Sequence, residues 1–232
     1  MQTLVLIAHP TVDDSPTQSF LKASGQDLSH VQFRSLDQLY PTGDIDVAAE
    51  RQALAQADQV IFQFPLYWYS APASLKQWLD QVLQTRLEEK IPNYTSKTLG
   101  LVVSLGTPEK AFVAGGAEGF TLSELLRPYQ ALAQKLKMTY RAPLIISQFN
   151  YMTEQAKMAL LIEYQQYLTM TATSFDARTT WLLDRLQKLQ QAQPNQPELA
   201  AILATLTANQ EQLQDLKDTI AMMKAGEDYG SH

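Results

Sequence analysis

The sequence predicts an α/β fold: a five-stranded parallel sheet with helices on both faces, followed by a C-terminal helical hairpin. Two observations lead to the sheet. Short apolar runs alternate with amphipathic segments as far as Met170, and the amphipathic segments repeat apolar residues at helical spacing. Because each right-handed crossover covers one face of a parallel sheet, this alternation places helices on both faces.

The five predicted strands are short and rich in β-branched and aromatic residues. They cover Thr3–Ala8, Val31–Ser35, Gln59–Phe64, Leu99–Ser104 and Tyr140–Ser147. The helical pattern covers Thr17–Ser24, Val47–Ala57, Ala73–Gln84, Leu122–Leu136 and Thr153–Met170. The first helix start is marked by Ser15 as the N-cap before Pro16. A capping box of Thr121 and Glu124 marks the fourth.

The composition and charge argue against several classes of protein. The 232 residues include no cysteine, so the chain has no disulfide, no thiolate nucleophile and no cysteine-ligated metal. A net charge of −6, without a Lys/Arg cluster, argues against a nucleic-acid partner. No run of about 18 apolar residues and no secretory signal pattern occurs. We therefore expect a soluble, cytoplasmic protein that binds no metal ion.

The pattern changes after Thr173, which divides the chain into a domain at residues 1–173 and an extension at residues 174–232. Gln and Ala become frequent in the extension, and two helical patterns flank the turn Pro194–Pro197. The second helix carries a heptad seam, defined as Leu199, Ile202, Leu206, Asn209, Leu213, Leu216, Ile220 and Met223. Its polar member, Asn209, is of a kind that fixes register or strand number. The two arms either fold against each other or the main domain, or pair with another subunit as a coiled coil.

The segment Val60–Leu83 is the most informative part of the sequence. It reads VIFQFPLYWYSAPASLKQWLDQVL: an apolar strand, an aromatic turn between two prolines, and an amphipathic helix. Pro65 ends the strand because it lacks an amide hydrogen. Loops of this kind lie beyond the carboxyl ends of parallel strands, where ligands bind. Tyr67, Trp68 and Tyr69 therefore form either a site for a flat ring, or a surface cluster that packs against another subunit.

The loop after the first strand has the features of an anion site. His9 ends the strand and Ser15 begins the first helix. Helix N-termini bind anions through free amide hydrogens and the positive end of the helix dipole, so a phosphate fits here. His9 alone is as readily explained by packing at a strand end. The sequence contains neither GxGxxG nor GxxxxGK[ST], so a dinucleotide fingerprint and a nucleoside triphosphatase loop are unsupported.

The loop after the fourth strand is rich in glycine. Its glycines are Gly106, Gly115, Gly116 and Gly119. Glycine permits positive φ and close approach of the backbone to a ligand, although tight turns in a flexible loop require the same residue. The loops after strands one, three and four should converge at one edge of the sheet. That convergence favours a single ligand site.

Three segments carry a resemblance to a known family. They are AHP with Ser15 six positions after His9, RSLDQLYPTGDIDVAAERQALAQADQVIFQFPLYWYSAPASLKQWLDQVL, and GGAEGFTLSELLRPYQALAQKLKM. Over roughly Met1 to Thr171 the chain resembles the flavodoxin-like NAD(P)H:quinone oxidoreductase family. It is particularly similar to the ancillary flavoproteins of glutathione-gated potassium-efflux systems and to bacterial general-stress reductases. The C-terminal hairpin lies outside this resemblance.

The resemblance implies a flavin-binding domain at residues 1–173. The flavin phosphate would be held by His9, Ser15, Pro16, Thr17 and Gln18. The isoalloxazine would lie along Leu66, Tyr67, Trp68 and Tyr69 and against Leu105, Gly106, Thr107 and Pro108. The flavin would be FMN by similarity, with FAD possible, and NAD(P)H would be the electron donor.

The resemblance also implies an activity and partners. The leading hypothesis is an enzyme that passes two electrons to quinone-like or azo acceptors by a ping-pong mechanism. Alternatives are a regulatory flavoprotein that docks on a membrane potassium-efflux transporter, a flavodoxin-like electron carrier, and a relative that has lost its flavin. Relatives are homodimers with the flavin near the interface, so we expect a homodimer.

The chain departs from the family pattern at four places. Gln18 stands where relatives have Asn in the phosphate loop, and Leu105–Pro108 replaces a Thr-Gly-Gly or Gly-Gly-Gly run beside the flavin. A tyrosine and a histidine that assist hydride transfer in the animal quinone reductases match Phe112 and Glu118. We therefore assign no side chain a proton-transfer role, and the catalytic residues stay unknown.

Overall fold

The computed structural model describes residues 1–84 and 94–228. The chain separates into two compact units, Met1–Thr169 and Met170–His232, the second of which ends outside the described residues. The first unit is a parallel sheet covered by helices, and the second is helical. This arrangement confirms the predicted α/β fold with C-terminal helices.

The sheet consists of the five predicted strand segments, the last of them in two pieces. Its strands are β1 (Thr3–Ile7), β2 (Val31–Ser35), β3 (Gln59–Pro65), β4 (Thr98–Leu105), β5 (Thr139–Tyr140) and β6 (Leu144–Ser147). The order is β2-β1-β3-β4-β5, with β6 pairing β4 beyond β5, and every pairing is parallel. The chain therefore reverses direction across the sheet between β1 and β3, where open α/β sheets bind ligands.

The break between β5 and β6 corrects the prediction of one continuous fifth strand. Pro143 has no amide hydrogen to donate to β4. The phenol of Tyr167 enters the gap, where its oxygen accepts from the Leu101 N–H (3.0 Å) and its hydroxyl donates to the Ala142 carbonyl (3.0 Å). Gly100 leaves room for that ring, since a Cβ there would lie 2.8 Å from the Tyr167 oxygen. A side chain therefore completes the ladder that proline interrupts.

The helices of the first unit follow the predicted pattern, with two differences. They are α1 (Pro16–Gly25), α2 (Leu36–Leu39), α3 (Val47–Gln56), α4 (Ala73–Val82), α5 (Leu122–Leu125), α6 (Arg127–Lys135) and α7 (Glu154–Thr169). The short α2 is not predicted by periodicity. The predicted helix Leu122–Leu136 is divided at Leu126, because Pro128 in the first turn of α6 cannot donate the hydrogen bond that would continue α5.

Both predicted helix caps are present. The Ser15 hydroxyl accepts from the Gln18 N–H (3.3 Å) at the start of α1. At the start of α5, the Thr121 hydroxyl accepts from the Glu124 N–H, and the Glu124 carboxylate accepts from the Thr121 N–H (2.7 Å). These bonds satisfy amide groups that a helix N-terminus otherwise leaves unpaired.

A buried carboxylate fixes α4 on the sheet. Glu50 is fully buried and accepts hydrogen bonds from the Arg34 guanidinium (2.5 and 2.8 Å), the Tyr40 hydroxyl (2.6 Å) and the Trp78 indole N–H (2.9 Å). Trp78 is itself fully buried, with its ring edge against Phe62. Since both oxygens of the carboxylate accept hydrogen bonds, the burial of its charge is compensated. The middle of α4 is thereby held beside β3.

The second unit is an antiparallel pair of helices, α8 (Phe175–Ala192) and α9 (Pro197–Asp228). The Lys217 ammonium pairs with the Asp176 carboxylate (2.5 Å) between the two helices. The Ser174 hydroxyl caps α8 by accepting from the Ala177 N–H (3.3 Å). Over the described part of the chain, the helices lack the combined length and hydropathy that a membrane span requires.

Candidate active site

A cleft of about 390 Å³ lies at the carboxyl ends of β1, β3, β4 and β6, and we call it the strand-end cleft. Its lining consists of His9, Ser15, Thr17, Pro65, Leu66, Tyr67, Ser104, Leu105, Gly106, Thr107, Gln148, Phe149, Asn150 and Tyr151. The volume falls within the range of small-molecule sites. The three loops expected to converge therefore do meet at one edge of the sheet.

Of the thirteen residues that the resemblance assigns to the flavin site, eight line this cleft. They are His9, Ser15, Thr17, Leu66, Tyr67, Leu105, Gly106 and Thr107. Five lie in the same loops outside the lining: Pro16, Gln18, Trp68, Tyr69 and Pro108. The sequence thus indicates the loops that border the cleft, but it does not indicate which side chains in those loops point into it.

His9 is held in one tautomer beneath the first loop. Its backbone N–H donates to the Asp37 carboxylate (2.8 Å), which also accepts from the Ser74 hydroxyl (2.9 Å). The Thr11 N–H donates to the His9 Nδ1 (3.2 Å), so this nitrogen carries no proton and the neutral ring is protonated at Nε2. Burial lowers the pKa of His9, and Asp37 partly opposes that effect. Near neutral pH the ring therefore offers a neutral N–H donor.

The N-terminus of α1 presents a second donor to the cleft. Pro16 has no amide hydrogen, and the Gln18 N–H is taken by the Ser15 hydroxyl. Within the part of the chain that the structure describes, the Thr17 N–H has no acceptor. The positive end of the helix dipole adds to this donor. His9, Ser15 and Thr17 together therefore form a cradle suited to an anion.

The Gln18 side chain turns away from this cradle and into the protein. Its Oε1 accepts from the Gln63 amide (2.6 Å), whose own Oε1 accepts from the Tyr164 hydroxyl (2.7 Å). All three side chains are buried. We call this set the Gln18–Gln63–Tyr164 network. It links the first turn of α1 to β3 and α7, so Gln18 supports the anion cradle from behind.

The aromatic turn is a tight, left-handed turn. The N–H and carbonyl of Tyr67 bond reciprocally to those of Ser70 (2.9 and 3.0 Å), and Trp68 and Tyr69 between them have φ of 48° and 64°. These angles belong to the mirror-image turns that normally carry Asn and Gly. A bulky side chain at such angles strains the backbone, and strain of this kind clusters at functional sites.

The three aromatic side chains of the turn point in different directions. Tyr67 lines the cleft, and its ring meets that of His9 edge-on with centroids 6.2 Å apart. Trp68 is 93% exposed. The Tyr69 hydroxyl donates to the Glu118 carboxylate (2.9 Å), which ties this turn to the glycine-rich loop. The adjacent carboxylate raises the pKa of Tyr69.

The four glycines of the loop after β4 differ in their conformation and surroundings. Gly106 lines the cleft, and a Cβ built there meets no atom within 4 Å. Gly115 and Gly119 have φ of 76° and 74°, which other residues seldom adopt. Gly116 packs directly on the Ala111 carbonyl, which would lie 2.4 Å from a Cβ. Only Gly106 is therefore placed to leave room for a ligand.

Backbone donors also face the cleft from this loop. Gly106 and Thr107 line it, and their N–H groups have no hydrogen-bond acceptor in the described part of the protein. Pro108 lacks an N–H and precedes the 3-10 turn Glu109–Phe112. The site thus keeps two main-chain donors although Leu105–Pro108 replaces the glycine-rich run of the family.

A fourth wall, formed by Gln148–Tyr151, was not predicted from the sequence. Gln148 is left-handed (φ 51°) and its N–H donates to the Leu105 carbonyl (2.8 Å), which turns the chain over the cleft. Phe149 is buried against Phe20, with ring centroids 5.1 Å apart. The parallel sheet could have indicated this wall, because the loop after β6 leaves from the same edge of the sheet as the loops after the neighbouring strands.

No group of three or more side chains able to hold a metal ion occurs among residues 1–84 and 94–228. The chemical groups at the cleft are instead main-chain donors, one imidazole, hydroxyls and apolar surface. Such a set binds and orients an anionic, planar ligand.

Comparison with known proteins identifies the class. Residues 1–168 match the family model described as flavodoxin-like fold. The crystal structure of an NADPH-quinone reductase from P. pentosaceus is 44% identical, with a TM-score of 0.67, over 74% of this chain and 100% of that one. General stress protein 14 from Treponema denticola, solved in complex with FMN, is 31% identical, with a TM-score of 0.65, over 72% and 98%.

One curated relative is an ancillary protein of a potassium-efflux system. The glutathione-regulated potassium-efflux system ancillary protein KefG of Yersinia enterocolitica is 35% identical over 71% of this chain and 89% of its own length. The chain belongs to this flavodoxin-like family, to which the NADPH-quinone reductase, general stress protein 14 and KefG are also similar.

Proposed function

We propose that this protein is a flavin-dependent NAD(P)H oxidoreductase that binds FMN in the strand-end cleft and passes two electrons to quinone-like or azo acceptors. The observation that carries the proposal is the anion cradle at α1, which opens into the same cleft as the aromatic turn and the Gly106 loop. One wall suits a phosphate, and the remainder suits a flat ring. The relative solved with FMN supports the choice of flavin.

The residues present fit the phosphate of such a cofactor. The Thr17 N–H and the His9 Nε2–H supply donors, and the dipole of α1 favours negative charge at this point. The Gln18–Gln63–Tyr164 network holds the first turn of α1 from behind. A monophosphate is sufficient to use these donors, which favours FMN over FAD.

The opposite part of the cleft fits the ring. Leu66 and Tyr67 form one side, and the N–H groups of Gly106 and Thr107 face the cleft from the next loop. When bound, a flavin supplies hydride acceptance from a nicotinamide and hydride donation to an acceptor. The chain's own contribution is to orient that ring, exclude water from one side of it, and leave space for donor and acceptor in turn.

Anaerobic stopped-flow spectroscopy tests this function. Protein reconstituted with FMN should lose its absorbance near 450 nm on mixing with NADPH or NADH, and recover it on addition of a benzoquinone. Steady-state rates should give parallel double-reciprocal lines, as expected for ping-pong exchange. A flavin that only dithionite reduces would contradict the proposal and favour an electron carrier.

A second candidate function rests on the similarity to KefG. In this alternative, the protein is a regulatory flavoprotein of a potassium-efflux transporter, and its reductase activity is secondary. Tagged protein should then retain the transporter on purification from detergent-solubilised membranes that contain both. Recovery of the transporter with a KefG control but not with this protein would contradict the alternative.

We also propose a homodimer in which the aromatic turns lie near the interface. Trp68 and Tyr151 are almost wholly exposed at the mouth of the cleft, and Phe120 is more than half exposed. Large exposed aromatic side chains of this kind mark interaction surfaces. Light scattering on chains truncated after Thr173 should give the mass of a dimer, and a monomer would contradict it.

A further inference from the structure

The two helices of the second unit differ greatly in length. α8 has 18 residues and α9 has 32, which correspond to about 27 Å and about 48 Å at the rise of an α-helix. The ion pair between Asp176 and Lys217 places the first turn of α8 beside Lys217. The part of α9 beyond Lys217 therefore has no counterpart in α8.

The heptad seam of α9 is only partly covered. Leu199 and Leu206, in its first half, are partly buried. Ile202, Leu213, Leu216, Ile220 and Met223 are 41–66% exposed, and Asn209 is exposed as well. α8 thus leaves most of the seam open to solvent.

The period of the seam indicates what covers it. Apolar residues that alternate three and four apart stay on one side of a helix only when that helix supercoils around another. An open stripe with this period spans Ile202–Met223, over most of α9. This is the signature of a helix–helix seam and differs from that of a groove for an extended peptide.

Asn209 indicates that the covering helix is the same sequence in the same direction. In a parallel, in-register pair each seam position faces its own copy, so the Asn209 amide meets a second Asn209 amide and both hydrogen-bond. In an antiparallel pair the amide would face an apolar seam residue and remain unsatisfied. The polar position is therefore satisfied by parallel self-pairing.

The flanks of the seam favour a like partner over a charged one. The neighbouring positions are Leu203, Thr205, Gln210, Gln212, Lys217 and Thr219. Lys217 is the single charge among them, and Asp176 already compensates it. Two copies can therefore approach without repulsion, whereas a partner selected by charge would find little to pair with.

The area is adequate for a stable contact. Two seams of six partly exposed side chains, together with their flanks, would bury on the order of 1,000–1,500 Å², close to the roughly 1,200–2,000 Å² of specific interfaces. We infer that the exposed heptad seam of α9 pairs with the seam of a second copy of this chain as a parallel, in-register coiled coil. This inference does not rest on the proposed flavin site.

The absence of cysteine from the sequence allows a direct test on the full-length protein. Leu216→Cys places a thiol in the seam, and Ala204→Cys places one on the opposite, exposed side of α9 as a matched control. In a parallel, in-register pair, the Cα atoms at the two facing Leu216→Cys positions would lie within the roughly 7 Å that a disulfide requires. Under mild oxidation, Leu216→Cys should form a covalent dimer at least tenfold faster than Ala204→Cys.

Two outcomes would overturn the inference. One is equal rates of crosslinking for the two variants, which would indicate random collision. The other is no covalent dimer from Leu216→Cys at concentrations where the wild-type chain is oligomeric. Circular dichroism confirms that each variant is folded, and flavin content should be the same in both, so failure here leaves the proposed function untouched.

Discussion

The aromatic turn at Tyr67–Ser70 and helix α4, which follows it in the sequence, differ in how they are stabilised. Trp78 of α4 and Glu50 of α3 are fully buried. The Glu50 carboxylate accepts hydrogen bonds from the side chains of Arg34, Tyr40 and Trp78. In the turn, Trp68 and Tyr69 are exposed and have positive φ, which strains the backbone. The anchored helix holds the strained turn in position. Local strain is therefore tolerated where the ligand would bind because the adjacent helix is firmly anchored.

Removing the anchor should produce the largest effect on stability. Glu50→Ala leaves the partly buried Arg34 without its carboxylate partner and the buried Trp78 N–H without an acceptor. We expect a loss of about 3–5 kcal/mol in the free energy of unfolding, measured by urea denaturation. Glu211→Ala, on the exposed side of α9, should change it by less than about 0.5 kcal/mol. Equal effects of the two substitutions would show that the buried carboxylate does not anchor α4.

A smaller loss should follow from breaking the network behind the anion cradle. Tyr164→Phe removes the donor to Gln63 and leaves a buried amide oxygen unsatisfied, which costs about 1–3 kcal/mol. FMN affinity should fall as well, since Gln63 supports Gln18 in the first turn of α1. Tyr140→Phe is the control on a half-buried tyrosine outside the lining of the strand-end cleft. If Tyr164→Phe destabilised the protein with FMN affinity unchanged, the network would be structural only.

Relieving the strained turn should have the opposite sign. Trp68→Asn places a residue that tolerates positive φ where the exposed indole has almost no packing to lose. We expect a gain of about 1 kcal/mol in the free energy of unfolding of the flavin-free protein, measured thermally or with urea. Phe120→Asn, at an exposed aromatic with ordinary φ, should give no gain. A destabilised Trp68→Asn variant would mean that the turn is not strained.

The smallest effect concerns pH and His9. Burial lowers the pKa of His9 in the folded state below its ordinary value of 6.5. Above pH 6.5 the ring is neutral in both states and contributes nothing to pH dependence. As the pH falls below 6.5, the unfolded chain binds the proton first, so the folded state loses stability until the pH reaches the folded pKa. His9→Gln should remove this part of the slope, and an identical slope in both proteins would contradict the shift.

Much of this architecture follows from local sequence. The strand, turn and helix of Val60–Leu83 were predictable because Pro65, the apolar run and the helical spacing all act within a few residues. The caps at Ser15 and Thr121 are equally local. The convergence of loops at one edge follows from the parallel sheet alone.

The features that escaped prediction depend on contacts between distant residues. Pro143 interrupts the last strand locally, but the bond that fills the gap comes from the phenol of Tyr167, 66 positions from the Leu101 amide that it satisfies. The inward turn of Gln18 requires Gln63, 45 positions away. Periodicity carries no signal for either contact. Family resemblance indicates the loop of Gln18 as a phosphate site, which stays a prediction, whereas the direction of the Gln18 side chain required the structure.

The account rests on the claim that the strand-end cleft holds FMN, and fluorescence titration measures this directly. The flavin-free protein should quench FMN fluorescence to saturation at one FMN per chain. Gly106→Val should weaken the binding at least tenfold, because its side chain would occupy space beside the cleft, where a Cβ meets no protein atom within 4 Å; thermal unfolding is measured as the control for folding. Absence of saturable binding, or equal affinity in the two proteins, would contradict the account.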